Sequence, residues 1–487
     1  MESDRSIEHV DVLIVGAGMS GIDAAYRVQT MCPDKSYAIV EMRDRIGGTW
    51  DLFRYPGVRS DSDMYTLGFP FRPWSNEVSI ARGEDIRDYV QATAREFGID
   101  RHIRFGHRVM GADWSSADER WTVETSQGRF TCSFLFACSG YYDYEQGYRP
   151  HWPREGDFHG EIVHPQFWPE NLDVSGKKVA VIGSGATAVT LVPSLAEQAA
   201  HVTMVQRSPS YIVARPARDR IASFLQRVLP RKAAGAAVRW KNVLLQILLY
   251  SRTRKRPERA AEWIKGMIRK QLPADYPVEQ HFSPDYNVWD QRLCLVPDGD
   301  LFASIRDGKT SVATGAIERF TPTGLKLVTG EEVEADVIVT ATGLVVKLFG
   351  GVQLGIDGQP VNPSERMIYK GMMLSGVPNY FLSFGYTNAS WTLRSDVTAK
   401  SVCRLLNHMK AGGFTVCTPR LPEDMKRHPA LTFTSGYVQR ALPFLPKQGS
   451  RQPWIVPQNY VKDRLAMRFG RIDEDLEFKR NGTAVRA

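Results

Sequence analysis

Gly16-Ala17-Gly18-Met19-Ser20-Gly21 follows the apolar run Val10, Val12, Leu13, Ile14 and Val15, and Gly183-Ser184-Gly185-Ala186-Thr187-Ala188 follows Val179-Ala180-Val181-Ile182. A strand that ends in a glycine turn and opens a helix presents backbone N–H groups, on the positive end of that helix, to a pyrophosphate. One G-x-G-x-x-G is a weak signal, because any tight turn can supply it. Two, each after a buried-type strand, are much stronger. They predict one dinucleotide site at Gly16, Gly18 and Gly21 and a second at Gly183, Gly185 and Ala188. A flavin on one site and a nicotinamide on the other could pass a hydride between them, and the electrons must then be spent on a substrate.

The residues that close each unit differ in charge. Glu41 ends the second strand of the first unit, where a carboxylate accepts hydrogen bonds from an adenosine ribose. The second unit ends its strand at Gln206-Arg207-Ser208. Arg207 offers two donors to a 2′-phosphate, helped by Ser208, so this site reads as selective for NADPH, the alternative being a surface arginine after a strand.

Those positions require a βαβ element twice. In the first, a strand over Val10 to Val15 leads through the turn into a helix to about Thr30, then a strand from Ser36 to Glu41. The second repeats the pattern from Val179 and closes with His201 to Val205. The expected fold class is α/β, with two Rossmann-like dinucleotide-binding domains and a helical insertion. Residues 1–145 form the first part of the flavin domain, 146–345 the nicotinamide domain, and 346–487 the returning part of the flavin domain. Phe134–Gly140 and Val337–Gly343 share a strand-then-small-turn shape and read as crossings between domains.

Between about 211 and 285 the strand pattern stops and a basic, helical insertion takes over, including Val243–Tyr250 and then Ser251-Arg252-Thr253-Arg254-Lys255-Arg256. An apolar segment beside a basic run can lie on a bilayer surface. One buried helix with a solvated turn is the favoured alternative, and such an insertion could also cap the active site.

The totals narrow the class. The 487 residues suffice for two or three domains, and 43% hydrophobic with 24% charged residues describes an ordinary globular protein. The net charge of +8 suits polyanionic cofactors but is too dilute to argue for nucleic acid. Six scattered cysteines include no C-x-x-C pair and no metal-ligand spacing, which excludes the dithiol flavoenzymes and fits reduced thiols in the cytoplasm. No signal peptide is expected at the polar start, and no window reaches the length of a membrane span.

Two longer patterns carry a family resemblance. Phe158-His159-Gly160, His164 and Trp168-Pro169 fill every fixed position of F-x-G-x-x-x-H-x-x-x-W-P, and Gly47-Gly48, Trp50, Tyr55-Pro56-Gly57 and Asp61 complete a second. The chain resembles the Baeyer–Villiger monooxygenases over essentially its whole length. It looks closest to their shorter, ethionamide-activating branch, through stretches such as Gly47–Gly57, Trp289–Pro297, Gly385–Trp391 and Leu445–Arg451.

The resemblance implies FAD on the first site, with Gly48 and Trp50 beside it, and NADPH on the second. It further implies O₂ as co-substrate and conversion of a ketone to an ester or lactone, with sulfoxidation as a second activity. The family's flavin peroxide must stay deprotonated to attack a carbonyl, which calls for a fixed positive charge. By family position that charge is Arg292, oriented by Asp61; the alternative is a structural ion pair. Trp454 resembles a mobile-loop tryptophan that packs near the nicotinamide ribose, with an ordinary surface or core aromatic as the alternative. His164 reads as part of the link between domains rather than as a general base. Gln291 departs from the lysine common in the family, leaving NADPH preference to Arg207 and Ser208. An N- or S-oxygenase with little ketone activity is the rival, and oligomeric state stays open.

Overall fold

The computed structural model describes residues 7–480 and 483–485. Its first sheet has nine strands and is built around Glu8–Val15, which pairs in parallel with Tyr37–Glu41 on one side and Gly128–Ala137 on the other. Val12, Leu13, Ile14, Ile39 and Val40 are fully buried, as a parallel strand covered on both faces demands. Helices Met19–Met31 and Trp391–Gly412 pack together over one face. The chain beyond 346 completes this sheet: Gln353–Ile356 pairs with Val109–Ser115, and Tyr380–Leu382 pairs with Gly128–Ala137.

The second sheet has five parallel strands in the order Thr310–Thr314, His201–Gln206, Lys178–Ile182, Val337–Thr340 and Glu161–Val163. Between the two sheets the chain passes twice. Tyr142–Gly147 runs antiparallel to Leu344–Val346, so the outgoing and returning passages lie side by side. The architecture is the α/β, two-dinucleotide-unit arrangement expected from the repeated turns.

The insertion is less uniform than its composition suggested. Ile212–Arg215 is a strand, paired in parallel with Cys294–Pro297, and the helices Arg220–Val228, Arg231–Lys255, Pro257–Arg269 and Val278–Phe282 follow. The favoured picture of one buried helix is corrected as well. Val243 is buried, but Leu244, Leu245, Leu248 and Leu249 face outward. Among the described residues no helix is long and apolar enough to cross a membrane.

Candidate functional site

A cleft of about 300 Å³ opens at the carboxyl end of the first sheet, where an open α/β sheet binds its ligand. Gly16, Gly18, Glu41, Gly48, Trp50 and Asp61 all line it. Helix Met19–Met31 starts at Gly18 with no side-chain cap and no acidic residue in its first turn, leaving its first N–H groups available to an anion. The turn needs its glycines for different reasons. Gly16 has φ +102°, and a Cβ on Gly21 would lie 1.8 Å from the Gly16 carbonyl oxygen. Gly18 is free of that crowding, since a Cβ there meets only Gly48 Cα at 3.5 Å.

Glu41 is buried. Its Oε2 accepts the Ala17 N–H at 2.7 Å and its Oε1 accepts the Arg43 N–H at 2.9 Å. Burial raises its pKa, and those two amides pull the other way. A carboxylate held beside a glycine turn, with an uncapped helix end next to it, fits the ribose and pyrophosphate of FAD.

Beyond that turn, the fully buried Asp51 binds Arg43 at 2.5 Å and Arg54 at 2.8 Å, tying down the segment from Gly47 to Tyr55. The next residues reach the second unit. A Cβ on Gly57, at φ +74°, would lie 1.9 Å from Ser194 Oγ on helix Ala186–Leu195, and Arg59 pairs with Asp300. Tyr-Pro-Gly thus marks where the two units press together.

Arg292 and Asp61, 231 residues apart in sequence, meet in the cleft, with Arg292 Nη1 donating to Asp61 Oδ2. The carboxylate drives the guanidinium pKa well above its ordinary value, so Arg292 is charged at any working pH. About a third of each side chain, 34% and 33%, remains accessible from the cleft. The Arg292 Nε hydrogen is buried and has no partner, leaving a donor to spare. The supporting loop is held from behind: Trp289, at φ +76°, donates through Nε1 to Thr253 Oγ1 at 2.8 Å, and Asp290 pairs with Arg254 at 2.6 Å.

Arg292 also faces a smaller apolar pocket lined by Tyr141, Phe384, Trp391, Phe433, Tyr437 and Leu445. Tyr141 stacks on Trp391 at 5.1 Å and shares a 2.6 Å hydrogen bond with the Tyr142 hydroxyl. Burial pushes the Tyr141 phenol up to about 12, so it stays neutral. Sequence patterns missed these aromatics. Only Trp391 lies in a stretch that carried the resemblance, and the others stand 243 to 296 residues from Tyr141 along the chain.

The second turn repeats the first. Helix Ala186–Leu195 also begins uncapped at Gly185, Ala188 is fully buried, and a Cβ on Gly183 would lie 2.3 Å from the Ala341 carbonyl oxygen. Arg207 and Ser208 are exposed beside it, and Arg207 has no ion-pair partner among the described residues. Gln291 is half-buried on the Arg292 loop. Trp454 lies elsewhere. It is fully buried against Tyr369, with Nε1 donating to Asp475 Oδ2 at 2.8 Å, and does not line the cleft.

The Phe158–Pro169 segment is mechanical. Phe158 packs edge-on against Phe320, and a Cβ on Gly160 would lie 2.2 Å from the Asp336 carbonyl oxygen. His164 Nδ1 accepts the Gln166 N–H at 3.2 Å while its ring packs over Gly147 on the crossing strand. Burial lowers the His164 pKa, keeping the ring neutral near pH 7 and unsuited to a charged role. Gly160→Ala is expected to cost about 1–3 kcal/mol. Thermal unfolding beside Gly156→Ala, where a Cβ meets nothing within 4 Å, checks this. Equal midpoints for the two variants would refute the packing role.

Comparison with known proteins agrees with this geometry. A family described as pyridine nucleotide-disulphide oxidoreductase matches residues 13–229, although all six cysteines here are buried and free. The chain is 57% identical over 474 residues to the FAD-containing monooxygenase EthA of Mycobacterium tuberculosis, covering 96% of this chain and 97% of the relative. Identity to the EthA of Mycolicibacterium smegmatis is 52% over 487 residues, 99% of each chain. Among solved structures, a steroid monooxygenase bound to NADP superposes with a TM-score of 0.75 at 22% identity, over 97% of this chain and 100% of that one. Cyclohexanone monooxygenase in an open form superposes with 0.76 at 20%, with the same coverage. Those two share the fold. Identity above one half along nearly the whole chain says more: the chain belongs to the FAD-containing monooxygenases, flavin-dependent oxidoreductases built on two dinucleotide-binding units.

Proposed function

We propose that this monooxygenase takes electrons from NADPH and inserts one atom of O₂ beside a ketone carbonyl, giving an ester or lactone, with thioether sulfoxidation as a second activity. One observation carries the reading. A permanently charged guanidinium, locked by Asp61, stands between a dinucleotide cleft and an apolar pocket. When bound, FAD supplies the redox centre at which NADPH is spent and O₂ is activated.

The chain's own residues do the rest. The uncapped helix starting at Gly18 binds the FAD pyrophosphate, and Glu41 accepts from the adenosine ribose. Gly183, Gly185 and Ala188 shape the second turn for NADPH, whose 2′-phosphate is gripped by Arg207 and Ser208. Arg292 holds negative charge on oxygen without a proton to lose, and Asp61 sets its direction. Tyr141, Trp391 and Phe384 exclude water from the place where an apolar ketone or sulfide sits. The cyclohexanone and NADP-bound steroid monooxygenases named above share this fold, which supports the reading.

The test is oxygen-18 gas with a methyl ketone and a thioether, on the purified flavin-loaded protein. The expected products are an ester carrying one heavy oxygen and a sulfoxide. Sulfoxide without any ester would instead make the protein an S-oxygenase. For the reductant, Arg207→Ala is expected to raise the KM for NADPH about 10–100-fold and leave that for NADH alone. Equal changes for both would remove Arg207 from phosphate recognition.

A further inference from the structure

The helical insertion carries the molecule's strongest asymmetry of charge. Residues 220–270 hold fourteen Lys and Arg against two Asp and Glu, an excess of 12 in a chain whose total is +8, so the remainder is net acidic. Helix Arg231–Lys255 buries Ala234, Val238, Arg239, Asn242 and Val243 on its inner side. At 3.6 residues per turn, Leu244, Leu245, Leu248 and Leu249 form an arc of about 140° on the later turns of the helix, and Arg252 and Lys255 continue it. All four leucines are exposed, Leu244 by 56%.

Helix Arg220–Val228 packs beside it, joined by the Asp219–Lys241 pair, and turns Ile221, Phe224 and Val228 outward, Phe224 by 62%. Trp263, on the next helix, is 56% exposed. Around this apolar surface Arg220, Arg231, Arg252, Lys255, Arg256 and Arg259 have no ion-pair partner among the described residues. Large aliphatic and aromatic side chains left in water beside unpaired cations are unfavourable unless something covers them.

We propose that the helices of residues 220–270 dock on the surface of an anionic lipid bilayer, with the leucines and Phe224 in the acyl boundary and the arginines on lipid phosphates. Charge complementarity selects this occupant. A second copy of the chain would bring the same positive excess against itself. A nucleic acid would satisfy the arginines but offer nothing to four leucines. A bilayer surface offers both, because an interfacial helix gains from apolar burial and from attraction to acidic headgroups together. The inference is independent of the reaction proposed above.

Co-sedimentation of the flavin-loaded full chain with phosphatidylcholine vesicles, with and without phosphatidylglycerol, tests it. Binding is expected only with the acidic lipid and weakens in high salt. A quadruple Leu244→Ser, Leu245→Ser, Leu248→Ser, Leu249→Ser variant and a triple Arg252→Glu, Lys255→Glu, Arg256→Glu variant should each lose at least ~10-fold in partitioning. Both should keep their FAD absorbance and soluble NADPH oxidation, which separates docking from folding. No binding of the parent chain to acidic vesicles, or parental binding by both variants, would overturn the proposal. So would a dimer in gel filtration that the leucine variant dissolves, or DNA competing the protein off vesicles while the leucine variant binds normally.

Discussion

Arg292→Ala is expected to reduce ketone oxygenation by about 10²–10³-fold in kcat, the loss seen when one preorganised electrostatic donor is removed from a developing oxyanion. NADPH should still be consumed, because the two dinucleotide turns are untouched, and the electrons should leave as hydrogen peroxide. Peroxide yield measured against ester yield therefore separates this role from a structural one. A merely structural ion pair would lower FAD content and both yields together. Arg292→Lys should recover part of the rate, since a lysine keeps the charge but loses the planar guanidinium whose Nη1 donates to Asp61. Ester formation at the parental rate in Arg292→Ala would sink the assignment.

The second large effect belongs to Gly21→Ala. Its new methyl carbon would sit 1.8 Å from the Gly16 carbonyl oxygen, so the turn must open and the helix must shift away from the strand. FAD affinity is expected to fall at least ~100-fold, read as flavin absorbance per chain after gel filtration. Gly18→Ala supplies the contrast. The protein accommodates that methyl at ordinary contact distance, so any lost FAD reflects a blocked approach of the pyrophosphate to the helix end. Full FAD retention in Gly18→Ala with an unchanged thermal midpoint would place the pyrophosphate elsewhere.

Legibility followed how local each constraint is. The Gly16 and Gly183 turns were readable because φ above +100° and near contact with the next strand admit no other residue. The Tyr55-Pro56-Gly57 and Phe158–Pro169 patterns were readable for a similar reason, though what they do was not. The structure shows Gly57 pressed against Ser194 where the two units meet, and Gly160 packed against Asp336 at the edge of the second unit's own sheet. Ile212–Arg215 hid inside a helical composition because a four-residue strand makes too short a pattern to separate from its surroundings. Of the two readings of Trp454, the structure shows the core aromatic, bonded to Asp475 and packed on Tyr369.

What the amino-acid order determined by itself is the pair of glycine turns, since each is a requirement on one short stretch of backbone. Tertiary structure brings Asp61 to Arg292 across 231 residues, a pairing the family resemblance had implied, and it alone decided that an aromatic pocket would open on the same guanidinium. It also decided that four leucines of one helix would face outward. Contacts between distant segments depend on how whole sheets and helices pack, and no spacing along the chain encodes which face of an element is left uncovered.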